Sequence, residues 1–413
     1  MEDRPRNLRE MLAEAKDTSE LMVDLAYAAL YFGDPDMADE VGALEERMSH
    51  LVQDMRAVCI LAVRHPRDAD GMSSVLQVIS AIERIANDAV DIARIVTHRV
   101  GIPAELVADL SAAEEVSHRV LVSDGSLLAH RHLADHEMPA KMGMRVMAVR
   151  REREWITDVG GDTVLVPDDV LFLRGSPDGI DELRSLAGSP DWTPPEVPDG
   201  PVATDLDRAV DVLVEMKDLS EVAVGLAYSS LVLRDESLAA EVRHLEDRLD
   251  EMKDRLEEWV LRAAREHVDH SGLRGLLQLS QAAEDLGDQA QQMVWIIERQ
   301  EDIHPILAVA LGDSDEVVVH IPVAEDCAVE GRTLADLRLN IEPGFTVLAI
   351  RRGGQYRYRP RGEVRLAPGD SLIASGPDEG RDRLAEMCGW RLINRDDDTA
   401  MVFEPLESSL PTG

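Results

Sequence analysis

Two pairs of acids in this chain stand four residues apart, Glu246-x-x-x-Asp250 and Glu284-x-x-x-Asp288. On a helix that spacing puts both carboxylates of a pair on one face, and an all-oxygen donor set suits a hard divalent metal. A solvated acidic face would give the same pattern. A second cluster is basic: Arg351, Arg352, Arg357, Arg359, Arg361 and Arg365 fall within 15 residues, echoed earlier by Lys141, Arg145, Arg150, Arg151 and Arg153. Guanidinium forks suit phosphates and carboxylates. The segment therefore reads either as a surface for a small anionic ligand or an acidic partner, or as a hairpin whose arginines pair with the chain's own acids. His118, His130, His132 and His136 have no cysteine or paired acid at metal-ligand spacing and read as surface histidines. No nucleophile and base stand in an arrangement that would suggest an enzyme.

Composition narrows the class. The chain has 413 residues, with 81 Asp and Glu against 43 Lys and Arg, a formal net charge of −38. Only four of the cations are lysines, Lys16, Lys141, Lys217 and Lys253. Self-repulsion on that scale is tolerable in concentrated salt, and the acid-rich, lysine-poor balance resembles cytosolic proteins of salt-accumulating halophiles. It argues against nucleic acid as a partner. Cys59, Cys327 and Cys388 are too few and too scattered for a disulfide framework or a zinc site. With no long apolar run and no signal-peptide pattern at Met1-Glu2-Asp3-Arg4, a cytoplasmic protein is expected, reaching a membrane only through a partner.

The elements that must position these residues come twice. A shift of 201 residues aligns most of the chain with itself, with 17 identities in 35 between residues 14–48 and 215–249. Each copy opens with three long amphipathic helices, predicted over 5–100 and 204–301, broken at Gly33-Asp34-Pro35 and at Pro66. Tyr27 and Tyr228 hold equivalent positions in apolar helix segments and read as core. Short β-branched runs follow, Glu316–Ile321, Phe345–Ile350 and Ser371–Ala374, with turns at Gly353-Gly354 and Pro368-Gly-Asp370. They predict small α+β domains over 104–188 and 305–390. A proline-rich linker is expected over 189–203 and a disordered tail over 395–413. The fold class is multidomain, α plus α+β, alternating and internally duplicated.

Ala81-Ile-Glu-Arg-Ile-Ala-Asn-Asp-Ala-Val-Asp-Ile-Ala93 and Asp34-x-x-x-Ala38-x-Glu40-Val41 resemble segments of the phosphate-uptake regulator PhoU, a pair of three-helix bundles. Gly331-Arg-Thr-Leu-Ala-Asp-Leu337, Val347-Leu-Ala-Ile-Arg-Arg-Gly353 and Leu366-Ala-Pro-Gly-Asp370 resemble the TrkA C-terminal domain of potassium-conductance regulators, with a weaker version at Val146–Arg151 and Val166–Asp169. The combination resembles a haloarchaeal type. It implies a regulator of potassium or other cation transport that docks on a membrane transporter or channel, and no Gly-x-Gly-x-x-Gly is present for an NAD or ATP switch. TrkA-C-like domains pair, within one chain or in a homodimer, and some bind cyclic di-AMP or another anionic nucleotide where they meet. That implies ligand contacts near Arg332, Arg338 and Asn340. PhoU resemblance implies a metal role for Glu246, Asp250, Glu284 and Asp288, whereas copy one has lost the second acid of each pair at Ser49 and Asn87. Phosphate-uptake signalling, or a ligand-free interaction module, are the alternatives.

Overall fold

The structure, a computed structural model, describes residues 6–66, 68–111, 115–190, 204–265, 270–299, 303–312, 316–393 and 402–406. Copy one contains α1 (Leu8–Phe32), α2 (Pro35–Ala62), α3 (Asp68–Thr97), α4 (Ala104–Ser111), β1 (Val116–Leu121), α5 (Met138–Met142), β2 (Met144–Arg151), β3 (Glu154–Ile156), β4 (Val170–Gly175) and α6 (Ile180–Ala187). Copy two contains α7 (Asp205–Leu233), α8 (Glu236–Ala263), α9 (Ser271–Glu298), α10 (Pro305–Leu311), β5 (Glu316–Pro322), α11 (Leu334–Leu337), β6 (Thr346–Arg352), β7 (Gln355–Tyr358), β8 (Ser371–Pro377), α12 (Arg381–Met387), β9 (Trp390–Ile393) and β10 (Val402–Pro405). The chain divides into two compact units, one gathering the helices α1–α4 and α7–α10, the other gathering both sheet domains.

In the helical unit the two copies start their second helices alike. Asp34 and Asp235 each accept two backbone N–H bonds of the following turn, from Asp36 and Met37 and from Ser237 and Leu238, satisfying donors that a helix start leaves open. On α3, Val75, Ile79, Ile82, Ala86 and Ala89 are fully buried, the stripe expected of helical spacing. Its flank runs against α9: Gln77 Nε2 donates to the Gln292 carbonyl at 2.7 Å and Arg84 Nη1 to Gln292 Oε1 at 2.6 Å. The tyrosines read as core carry a further contact. Lys16 Nζ lies 5.2 Å from the Tyr228 ring centre and Lys217 Nζ lies 5.3 Å from that of Tyr27, each copy's lysine over the other copy's ring. Lys16 and Lys217 also pair with Glu20 and Glu221, each at 2.8 Å. The bundles are therefore joined by a reciprocal exchange of buried cation–π contacts, favourable when desolvated.

The sheet domains do not begin where the sequence places them. α4 and α10 pack into the helical unit, α10 on both α1 and α7 and α4 on α7, because Leu106, Ala108, Leu307, Ala310 and Leu311 are buried there. Each domain is a four-stranded sheet, in the orders β1-β4-β2-β3 and β5-β8-β6-β7. β2 and β6 carry register shifts at equivalent places, between Val146 and Ala148 and between Val347 and Ala349. Val317, Val319, Ile321, Phe345, Leu372 and Leu384 make the core of the second domain. A disordered tail is not what is found throughout 395–413, since β10 pairs antiparallel with β9 from Val402 opposite Ile393 to Pro405 opposite Trp390. Val402 and Phe403 supply the β-formers of that ribbon. Residues 394–401 and 407–413, and the linker beyond Pro190, lie outside the described residues.

Candidate functional site

The acid pairs of copy two lie on α8 and α9, near enough for their charges to act on one another, but two of the carboxylates are taken by other side chains. Glu284 Oε2 accepts from Lys253 Nζ at 3.1 Å and from Gln281 Nε2 at 2.8 Å. Glu246 accepts from Gln291 Nε2 at 2.6 Å; burial, then the charges of Asp250 and Asp288, pushes its carboxyl up to about 7. Asp288 is raised by burial and by Asp250 and Asp285. Among the described residues no three His, Cys, Asp or Glu side chains are grouped to hold a metal. The donor set as arranged does not fit a metal centre, because Lys253 occupies Glu284 and Gln291 occupies Glu246. In copy one Ser49, at the position of Asp250, donates its Oγ to Glu45 at 2.8 Å, and Glu83 accepts from Arg56 Nη2 at 2.6 Å.

Sequence reasoning overlooked Asp88 on α3. Burial, followed by the charges of Asp285, Asp91 and Asp288 and opposed by Arg84, raises its carboxyl from 3.8 to about 8. Its repeat partner is Gln289, so the 201-residue comparison gave no acid-to-acid match to draw attention to it. Between those two values the folded protein keeps a proton that the unfolded chain releases. Asp88 therefore stabilises fully below about pH 4, and that contribution drains away at up to about 1.4 kcal/mol per unit until pH passes about 8. Thermal unfolding in molar KCl, followed from about pH 5 to about pH 9, should show a shallower decline with rising pH for Asp88→Asn than for the unsubstituted chain. Identical slopes would refute this assignment.

In the sheet unit the arginines divide. Arg352 Nε and Nη2 grip Asp370 at 2.6 Å each, and Nη2 also donates to the Arg365 carbonyl at 2.8 Å. Arg151 does the same to Asp169, at 2.8 and 2.9 Å, and to the Val164 carbonyl. Asp169 and Asp370 are 0% and 1% exposed, and each also accepts a backbone N–H, from Val166 and Ala367. Arg352 is thus a structural clamp, and its expected place in the ligand site is corrected: the hairpin arginine pairs with the chain's own acid. Arg332 Nη2 is held by the Asp336 carbonyl of its own turn. Arg351 lies beside Arg352 near the end of β6.

Arg338 and Asn340 lie where the two sheet domains meet. Gly143 stands so close to the second domain that an added Cβ would be 2.1 Å from the Asn340 carbonyl oxygen. Gly344 stands equally close to the first, its Cβ position 2.1 Å from the Pro139 carbonyl oxygen. Gly143 and Gly344 are repeat equivalents, as are Pro139 and Asn340, so the contact is a pseudo-twofold seam. Arg338 Nη2 bridges it to Asp178 at 2.9 Å, and Arg145 faces Glu316 at 3.8 Å. Glycine is needed at both crossings for space and for backbone, with φ of 62° and 86°.

Comparison with known proteins agrees with this layout. A family model of the PhoU domain matches residues 12–96 and 213–297, and one of the TrkA-C domain matches residues 118–188 and 318–389. Over 69 residues the chain is 39% identical to an uncharacterized transporter, sll0640, of Synechocystis; the match covers 17% of this chain and 11% of the transporter, so the chain spans about a tenth of that relative. Among solved structures, PhoU from Pseudomonas aeruginosa is similar with a TM-score of 0.39 at 14% identity, over 71% of this chain and 96% of that one. The GsuK channel bound to NAD gives 0.18 at 15% identity, over 77% of this chain and 65% of that one. The GsuK RCK domain gives 0.18 at 15%, over 77% and 78%. Two PhoU domains alternating with two TrkA-C domains make this chain a tandem PhoU and TrkA-C domain protein.

Proposed function

We propose that this chain is a regulatory subunit controlling a potassium or other cation transporter, and that it senses a small anionic ligand at the seam of its TrkA-C domains. The observation that carries the reading is the reciprocal crossing of Gly143 with Asn340 and of Gly344 with Pro139. Two equivalent domains that meet through bare backbone form a surface neither has alone, and a ligand that binds better at one spacing of the domains biases them toward it. Both domain families are regulatory, and the short match to a protein named a transporter supports the same direction. No described helix is long and apolar enough to cross a membrane. At the seam Arg338 offers a guanidinium fork for a phosphate, with Arg332 and Asn340 nearby in sequence. Cyclic di-AMP has two phosphates related by a twofold, matching the seam's own pseudo-symmetry.

Calorimetric titration with cyclic di-AMP, then with mononucleotides, at molar KCl tests this. Saturable binding is expected, weakened about tenfold or more by Arg338→Ala, a loss of about 1.4 kcal/mol. The Arg338–Asp178 pair is exposed at both ends, so the variant should fold normally. Flat traces for every nucleotide would overturn the ligand part of the proposal. The PhoU domains support a second reading, an adaptor in phosphate-uptake signalling. Stoichiometric metal in the purified chain would favour it over the first.

A further inference from the structure

The cysteines that look scattered in the sequence are brought together in one corner of the second TrkA-C domain. Cys327 lies in the loop after β5 and Cys388 caps α12. The Ala324 N–H of that loop donates to the Cys388 carbonyl at 3.0 Å. A Cβ placed on the next residue, Gly389, would lie 3.1 Å from Cys327 Cβ and 2.7 Å from Ala324 Cβ. The two cysteines share the domain's core, Cys388 wholly buried and Cys327 at its partly exposed edge. Burial and the neighbouring Cys327 push the Cys388 thiol up to about 12, so the buried sulfur is poorly placed to meet a reagent first and is left the resolving role.

Copy one builds the same corner without sulfur. Ser123 N–H donates to the Ala187 carbonyl at 2.9 Å, and a Cβ on Gly188 would meet Ser123 Cβ at 3.2 Å and Ser126 Cβ at 3.4 Å. Ser126 and Ala187 stand at the positions of Cys327 and Cys388. A thiol pair has thus been placed in one copy of a duplicated frame that closes well without it. The corner is also the root of the β9–β10 ribbon: Trp390 Nε1 donates to the Pro322 carbonyl at 2.6 Å, and Leu406 N–H to the Gly389 carbonyl at 3.0 Å.

We infer that Cys327 and Cys388 are a redox-sensitive dithiol, oxidised to an intradomain disulfide by a low-molecular-weight disulfide and so fixing the corner from which β9 and β10 extend. The partly exposed Cys327 attacks the reagent as a thiolate, forms a mixed disulfide and releases one reagent thiol. Cys388 then attacks the Cys327 sulfur, loses its proton, and expels the second reagent thiol. Together the two cysteines give up two electrons and two protons, and the reagent takes both. Intracellular disulfides of this kind are transient and sensing in character. The inference is independent of any nucleotide at the seam.

The test is to treat the full chain with oxidised glutathione at molar KCl, block remaining thiols with N-ethylmaleimide under denaturing conditions, and map the peptides by mass spectrometry. A Cys327–Cys388 disulfide is expected, leaving Cys59, buried and with its thiol pushed up to about 11, as the residue that takes the label. Cys327→Ser, a substitution copy one already tolerates at Ser126, should remove the linkage and leave Cys388 labelled. Label on all three cysteines of the oxidised chain, or glutathione left attached to Cys327, would overturn the proposal.

Discussion

Gly344→Ala is expected to open the seam between the TrkA-C domains, whereas Gly331→Ala, in the same domain, is expected to leave it closed. Both glycines hold a positive φ, 86° and 72°, so both alanines bear the strain of a left-handed backbone, about 1 kcal/mol. They differ in what faces them. Around Gly331 nothing lies within 4 Å of an added Cβ, while at Gly344 it would lie 2.1 Å from the Pro139 carbonyl oxygen. Backbone cannot rotate aside as a side chain can, so overpacking there adds about 1–3 kcal/mol and must be relieved by separating the domains. Hydrogen exchange should show faster opening of 139–145 and 339–345 in Gly344→Ala alone. Equal protection in the two variants would contradict the seam.

Arg352→Ala is expected to destabilise the second TrkA-C domain by about 3 kcal/mol, because it strands a buried carboxylate. Asp370 would keep one backbone N–H, from Ala367 at 2.9 Å, and lose both guanidinium bonds. The arginine side chain is itself 55% exposed, so entering water softens the loss and sets the figure at the low end for a broken buried pair. Lysine should not rescue it, since an ammonium cannot make two parallel bonds. Arg351→Ala, one residue away, should stay within about 0.5 kcal/mol. Chemical denaturation monitored through Trp390 distinguishes the cases; equal effects at the two positions would show that Asp370 does not depend on Arg352.

Much of this was legible in the sequence because duplication writes each structural device twice. The 201-residue offset pairs Arg151 with Arg352, Asp169 with Asp370 and Gly143 with Gly344, and each pair does one job in the fold. The arginine run pointed to an anion, and for Arg352 the anion is Asp370, 18 positions on in the same chain. Periodicity names the face of a helix but not what covers it. Tyr27 and Tyr228 could thus be read as core, while their cations, Lys217 and Lys16, come from the opposite copy. α4 and α10 failed for the same reason: seven or eight apolar-rich residues carry no mark of which unit they will join. Asp88 gained its character first from burial and then from Asp285 and Asp288, on a helix far away in sequence. The acid pairs on α8 and α9 had the spacing of a cation site, and Lys253 on α8 occupies Glu284 instead.

Rubidium-tracer uptake in source cells bearing a deletion of this chain, complemented with the unsubstituted chain, Gly344→Ala or Gly331→Ala, tests the regulatory role of the seam most directly. The account predicts that deletion alters cation uptake, that the unsubstituted chain and Gly331→Ala restore it, and that Gly344→Ala, expressed to the same level, behaves like the deletion. Full restoration by a Gly344→Ala protein whose seam is open by hydrogen exchange would contradict it.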